Sequence, residues 1–252
     1  MPKLLDAGSN MQTGTIPGLS GYQFSAVRPD GLGASEYTLV TIAVDTSTSV
    51  SGFRALLVDT LEKAVDGCRK SPRANNLLVR AVTFANAVTE LHGFKPLAEI
   101  KPGDYASLRT GGSTALYDAA ASSVGAMTEY GRVLSKQDFG VNGILFVITD
   151  GCDNVSTYTA ATVRAKVREA LQDEVLESFV SVLVGVNAQV HQAWLDRFSQ
   201  EAGFTAYKDA GDATPGNLAK LAQFVSRSVS SQAGAQGTGA AAAIPASAPL
   251  AI

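Results

Sequence analysis

The chain has 252 residues, is 46% hydrophobic, and sets 20 basic against 23 acidic side chains, a net charge of −3. That length buries one sizeable core with appendages, and without a basic cluster nucleic acid is not expected as the main partner. Cys68 and Cys152 form no disulfide or zinc pattern, no apolar stretch is long enough to span a bilayer, and "MPKLLDAGSNMQTG" lacks the apolar centre of a secretory signal, so a reduced, cytoplasmic protein is expected.

Residues 1–36 are rich in Gly, Ser and Pro and show no sustained periodicity, which predicts an extended N-terminal arm. Residues 37–230 then alternate between two kinds of segment. "TLVTIAVD" (Thr38 to Asp45), "LLVRAVTF" (Leu77 to Phe84), "ILFVITD" (Ile144 to Asp150) and "FVSVLVGV" (Phe179 to Val186) are short, β-branched and almost continuously apolar, as strands buried on both faces are. "AVTELHGF" (Ala87 to Phe94) follows Phe84 after a tight turn and suits an antiparallel edge, and "FTAYKD" (Phe204 to Asp209) is a weaker strand. Between strands, Val50, Phe53, Leu57, Leu61, Val65 and Cys68 recur at helical spacing, as do Val190, Trp194, Leu195 and Phe198, and Leu218, Leu221, Val225 and Val229. The pattern predicts an α/β doubly wound Rossmann-like sandwich with helices on both faces of a mostly parallel sheet. Residues 231–252 form a low-complexity Ala/Gly/Pro tail that cannot build its own core.

In such a sheet ligands bind outside the carboxyl ends of the strands. Asp45 in "AVDTSTS" and Asp150 in "VITDGCDN" both close apolar strands and arrive at that edge. A polar insert, "RTGGSTALYDA" (Arg109 to Ala119), opens a helix at Thr114. Asp45, Ser47, Ser49, Thr114 and Asp150 therefore converge as hard oxygen donors with little charge, a set that suits Mg²⁺ or Mn²⁺ and not zinc. Taken singly, Ser49 and Thr114 read equally well as helix caps and Asp150-Gly151 as a turn. Helix N-termini after Ser49 and at Thr114 would favour an incoming anion.

"DTSTS", "GGSTALYDA" and "VITDG" resemble the three ligand segments of the von Willebrand factor A (VWA) domain with a metal-ion-dependent adhesion site (MIDAS): Asp-x-Ser-x-Ser, a distant Thr before a helix, and a strand-end Asp. Asp45, Ser47 and Ser49 match the first element, Thr114 the second and Asp150 the third, and the resemblance covers about residues 37–230. It implies a sheet in the order 3-2-1-4-5-6 with one antiparallel edge strand. It also implies a divalent cation whose last coordination position is filled by an Asp or Glu of a protein partner. Thr46 reads as a turn residue or a support behind the ligands. Asp118 and Asp153 read as acids that orient waters or, equally, as a solvated helix face and a turn acid.

The resulting expectation is a non-enzymatic, cation-dependent protein-protein interaction module, an adaptor, without nucleic acid or membrane as partner. Homo-oligomers or larger assemblies through the arm and tail are expected as well. One competing reading is a structural component of an assembly whose ion only stiffens the loops. A haloacid dehalogenase-like phosphatase needs a second acid where Ser47 stands. A Ser hydrolase using Ser113, Asp150 and His191 needs a strand directly before Ser113. Cys152 has no evident base nearby in sequence and is not expected to be a nucleophile.

Overall fold

The computed structural model describes residues 10–173 and 175–234. Eight strands form one sheet in the order β1-β2-β5-β4-β3-β6-β7-β8. They are β1 Met11–Thr15, β2 Gln23–Val27, β3 Glu36–Asp45, β4 Leu77–Phe84, β5 Val88–Pro96, β6 Gly140–Thr149, β7 Ser178–Gly185 and β8 Ala206–Asp209. The helices are α1 Arg54–Arg69, α2 Leu116–Ser135, α3 Ala160–Gln172, α4 Gln192–Ala202 and α5 Pro215–Gly234.

The apolar strands are buried on both faces because their side chains alternate between two cores. Leu39 and Ala43 of β3 and Leu145 and Val147 of β6 join α2, α3 and α4 on one face. Val40, Ile42 and Val44, with Ile144, Phe146 and Ile148, join α1 and α5 on the other. Strands β4, β3, β6, β7 and β8 are mutually parallel, and β5 runs antiparallel to β4. Renumbered from β3, the six strands β3 to β8 follow the expected 3-2-1-4-5-6 order.

The N-terminal stretch departs from the extended arm that composition predicts. Met11–Thr15 and Gln23–Val27 pair antiparallel, and β2 adds to β5 in parallel at Ala26↔Phe94, so β5 is not an edge strand. The reason lies in long-range partners. Ile16, Leu19, Phe24, Ala26 and Val27 are buried in the core with α2, and Tyr130 Oη donates to the Val27 carbonyl at 2.8 Å. Glu90 Oε1 accepts from Ser25 N at 3.0 Å and from Ser25 Oγ at 2.5 Å, while its Oε2 receives Arg80 Nε at 2.6 Å. Residues 11–27 thus complete the chain's own sheet. At the other end α5 continues through Gly234, four residues past the expected boundary, and residues 235–252 of the predicted tail lie outside the described residues.

Candidate metal centre

Strands β3 and β6 are parallel neighbours, paired up to Val44↔Ile148, so the residues that end them emerge side by side. Asp45 closes β3 and Asp150 follows the last residue of β6. Asp45 Oδ1 accepts from Ser47 N at 2.8 Å, and its Oδ2 accepts from Thr149 Oγ1 at 2.6 Å. Ser47 Oγ lies 3.0 Å from Ser49 Oγ, and Ser49 Oγ donates to Asp150 Oδ1 at 2.8 Å. Four of the five expected donors are therefore joined in one hydrogen-bonded chain. These hydroxyls are not caps: Ser47 makes no side-chain cap bond to the 3-10 turn Thr48–Phe53, and α1 begins only at Arg54. The helix N-terminus expected just after Ser49 is accordingly a 3-10 turn first.

Thr114 is brought alongside by its backbone. Gly111 N donates to the Thr46 carbonyl at 2.8 Å, and Thr48 N and Oγ1 both donate to the Gly112 carbonyl, at 3.0 and 3.1 Å. Gly112 has φ +88°, and a Cβ there would stand 2.7 Å from Asn86 Oδ1, so the loop needs glycine twice over. That same Asn86 oxygen accepts from Ser113 N at 2.8 Å. Thr114 N donates to Asn154 Oδ1 at 2.7 Å and Asn154 N donates back to the Thr114 carbonyl at 3.1 Å. The helix opens slightly later than expected, with Ala115 as N-cap and Leu116 first, and without a side-chain cap bond.

Three further residues stand behind this centre. Thr46 Oγ1 and N both donate to the Phe84 carbonyl, which ties the turn after β3 to the end of β4. Asp118 is buried and accepts from Thr157 N at 3.1 Å, Tyr158 N at 2.9 Å and Tyr22 Oη at 2.7 Å. Asp153 Oδ2 accepts from Tyr117 N at 3.0 Å and from Ser156 Oγ. Both acids clamp the loop after β6 to the start of α2; Asp118 is buried, not on a solvated helix face, and Asp153 also closes the turn to Ser156, as a turn acid would. Thr149, Asn154 and Asn86 escape a sequence reading. The one signal was a hydroxyl directly before the strand-end Asp150.

Electrostatics favour a cation. Asp45 is only 1% exposed and Asp150 6%, and among the described residues neither forms an ion pair with lysine or arginine. Burial pushes the Asp45 carboxyl up to about 6, against the opposing pull of hydrogen bonds from Thr149 and Ser47, and the Asp150 charge adds to the rise. Burial likewise raises Asp150, countered by the Ser49 hydrogen bond. Two buried carboxylates that share hydroxyl neighbours and lack a compensating cation fit a divalent ion with hard-ligand taste. Among the described residues no three His, Cys, Asp or Glu side chains gather to hold a metal, so hydroxyls would have to complete any shell here.

One neighbouring group differs from expectation. Cys152 does have a base beside it, since His191 Nδ1 lies 3.3 Å from its Sγ across the loops. Burial nevertheless pushes the thiol up, and Asp153 adds to it, so the pair does not favour a thiolate. Ser113 follows no strand, and its amide is held by Asn86 in the loop before α2.

No protein-family model matches this chain. No curated protein matches it in sequence. Solved structures do resemble it in fold. The PilB minor pilin from Streptococcus sanguinis superposes with a TM-score of 0.54 at 13% identity, over 82% of this chain and 64% of the pilin. A von Willebrand factor type A structure from Catenulispora acidiphila gives 0.54 at 14% identity, over 90% of this chain and 48% of the other. Proximal thread matrix protein 1 from the mussel byssus, described with a zinc-occupied MIDAS motif, gives 0.51 at 17% identity, over 78% and 46%. The chain thus spans less than two thirds of each of these proteins, and the fold it shares with them is VWA-like.

Proposed function

We propose that this chain is a non-enzymatic protein-interaction module whose centre of Asp45, Ser47, Ser49, Thr114 and Asp150 holds Mg²⁺ or Mn²⁺ and takes an Asp or Glu carboxylate of a partner. The observation that carries the reading is the unbroken hydrogen-bonded chain from Asp45 through Ser47 and Ser49 to Asp150 at the carboxyl edge of the sheet. With neutral hydroxyls and only one of the two carboxylates in direct contact, a bound divalent ion would keep residual positive charge, and a water on it is then readily replaced by an external carboxylate. The start of α2 adds a favourable field for that anion. The solved neighbours include a minor pilin and a pilus adhesin, which lends weight to a protein partner. Cys68 and Cys152 are both free, the observation in favour of a reducing, cytoplasmic setting.

The loops around the centre are held by protein hydrogen bonds of their own, from Thr48 to Gly112 and from Thr114 to Asn154. This favours an ion used for recognition over one needed only to stiffen the loops. The test is affinity capture from the native host with the wild-type chain and with Thr114→Ala, each in Mg²⁺ and in EDTA, followed by calorimetry on the captured protein once purified. Binding confined to the wild-type chain in Mg²⁺, and lost when one acidic residue of the partner is neutralised, is the expected result. Equal binding in EDTA, or to Asp45→Ala, would leave the cation out of the contact.

A further inference from the structure

We infer that Tyr22 is a positioning residue for the metal centre, acting through Asp118 on the loop that fixes Thr114. The inference rests on the metal reading above and adds to it a part of the chain, residues 11–27, that lies outside the VWA-like segment recognised in the sequence. Tyr22 sits in the connection between β1 and β2 and donates its hydroxyl to Asp118 Oδ2 at 2.7 Å. Asp118 in turn receives the amides of Thr157 and Tyr158, and its own amide donates to Ser156 Oγ at 3.1 Å. The residues just before them in the same loop are Asp153, bound to the amide of Tyr117, and Asn154, bound in both directions to Thr114. Five consecutive links therefore run from the N-terminal hairpin to a proposed ligand. Each is a hydrogen bond or a step along one short loop.

Hydrogen bonds make this connection beside the packing of the Tyr22 ring on the core. Beside the Tyr22–Asp118 bond lies a cleft of about 240 Å³ bordered by Ser20, Gly21, Asn86, Val88 and Thr157. Further ties are the tilted contact of the Tyr22 and Tyr158 rings, with centroids 6.0 Å apart, a 3.4 Å bond from Tyr158 Oη to the Ser20 carbonyl, and the packing of both rings against the core. Asp118 keeps two backbone amides if the tyrosine hydroxyl is removed, so the loop loosens without coming apart. The hydroxyl therefore tunes where the loop holds Thr114. The fold itself is held elsewhere, by Phe24, the Ser25–Glu90 bonds and the Tyr130–Val27 bond.

That division supplies its own control. Tyr22→Phe removes the hydroxyl at the metal loop and keeps the ring, whereas Tyr130→Phe removes a hydroxyl that anchors the same hairpin from α2, away from that loop. Amide hydrogen exchange on the metal-free full chain should accelerate on the order of 5–10-fold at Thr114, Asn154, Thr157 and Tyr158 in Tyr22→Phe, a loss in the range of one net hydrogen bond. In Tyr130→Phe those four amides should keep their rates relative to global unfolding. Calorimetric titration with Mg²⁺ and Mn²⁺ should show a similar 5–10-fold weakening in Tyr22→Phe alone. Unchanged amides in Tyr22→Phe, with metal binding intact, would overturn the positioning role and leave the metal centre standing. Equal acceleration in both variants would reduce Tyr22 to general support of the fold. If the wild-type chain binds neither ion while the amides respond as predicted, the metal reading falls and takes the positioning role with it.

Discussion

Asp45 shows how a proposed ligand residue is set against the stability of its own fold. Its carboxyl is raised from 3.8 to about 6 by burial, so the metal-free folded protein prefers the proton that the unfolded chain releases earlier. The sign follows from linkage: this group's favourable contribution is complete below about pH 4 and is lost as pH rises through about 6, leaving a net cost above that. Asp45→Asn should therefore stabilise the fold at pH 7.5 in EDTA by on the order of 2–3 kcal/mol at most, read as a higher melting temperature, and the gain should shrink as pH falls toward 4. The same variant should lose calorimetric Mg²⁺ binding. A melting temperature that drops at pH 7.5 in EDTA would show that the Thr149 and Ser47 bonds outweigh burial. The gathering of Asp45, Ser47, Ser49 and Asp150 at the sheet edge was legible because the two acids close strands and the serines directly follow one of them. Thr149, Asn86 and Asn154 were not, because their roles exist only once β6 lies beside β3 and the loops before and after them meet.

At the scale of elements, the N-terminal hairpin is where local sequence carries least and tertiary contact carries most. A strand of only five residues with Gly14 in its midst has weak intrinsic preference, and β2 meets β5 at a single register pair. Buried chemistry compensates. Glu90 and Arg80 are 1% and 2% exposed, and Arg80 stands at the irregular step of the β4–β5 ladder, where its guanidinium also lies 6.0 Å from the Phe94 ring centre. Glu90→Gln would leave the Arg80 charge buried without its partner, so a loss of about 3–5 kcal/mol is expected by chemical denaturation. A loss below about 1 kcal/mol would mean that water reaches the pair. Gly93 tests the same junction sterically, since a Cβ there would meet the Ser25 carbonyl oxygen at 2.2 Å, a backbone atom that cannot swing aside. Gly93→Ala should push β2 off β5 and open residues 11–27 to limited proteolysis while β3 to β8 stay protected.

For the whole molecule, the alternation of strand and helix made the doubly wound α/β class legible, because continuous β-branched runs and helical spacing each demand burial on a known face, whereas the six-strand order was implied by the resemblance of the ligand segments. What it left out was that this six-strand unit is not closed on its β5 side. Ile16, Leu19, Phe24, Ala26 and Val27 cover that side and the adjoining surface of α2, where Gly125 is so tightly approached by Ile16 that a Cβ would stand 2.3 Å from it. A chain starting at residue 32 therefore exposes the apolar surfaces of Phe94, Val88 and Tyr130, and leaves Glu90 without its Ser25 donors. Phe94 and Tyr130 stack with ring centres 5.2 Å apart beneath Phe24, so the exposed area is one contiguous patch of aromatic surface beside an unpaired strand edge. Such edges recruit other chains. Deleting residues 1–31 should give a protein that binds a hydrophobic dye, self-associates in light scattering and melts well below the full chain, even though every proposed metal ligand is retained. A truncated chain that stays monomeric, with the full chain's melting temperature, would mean the hairpin is an appendage after all.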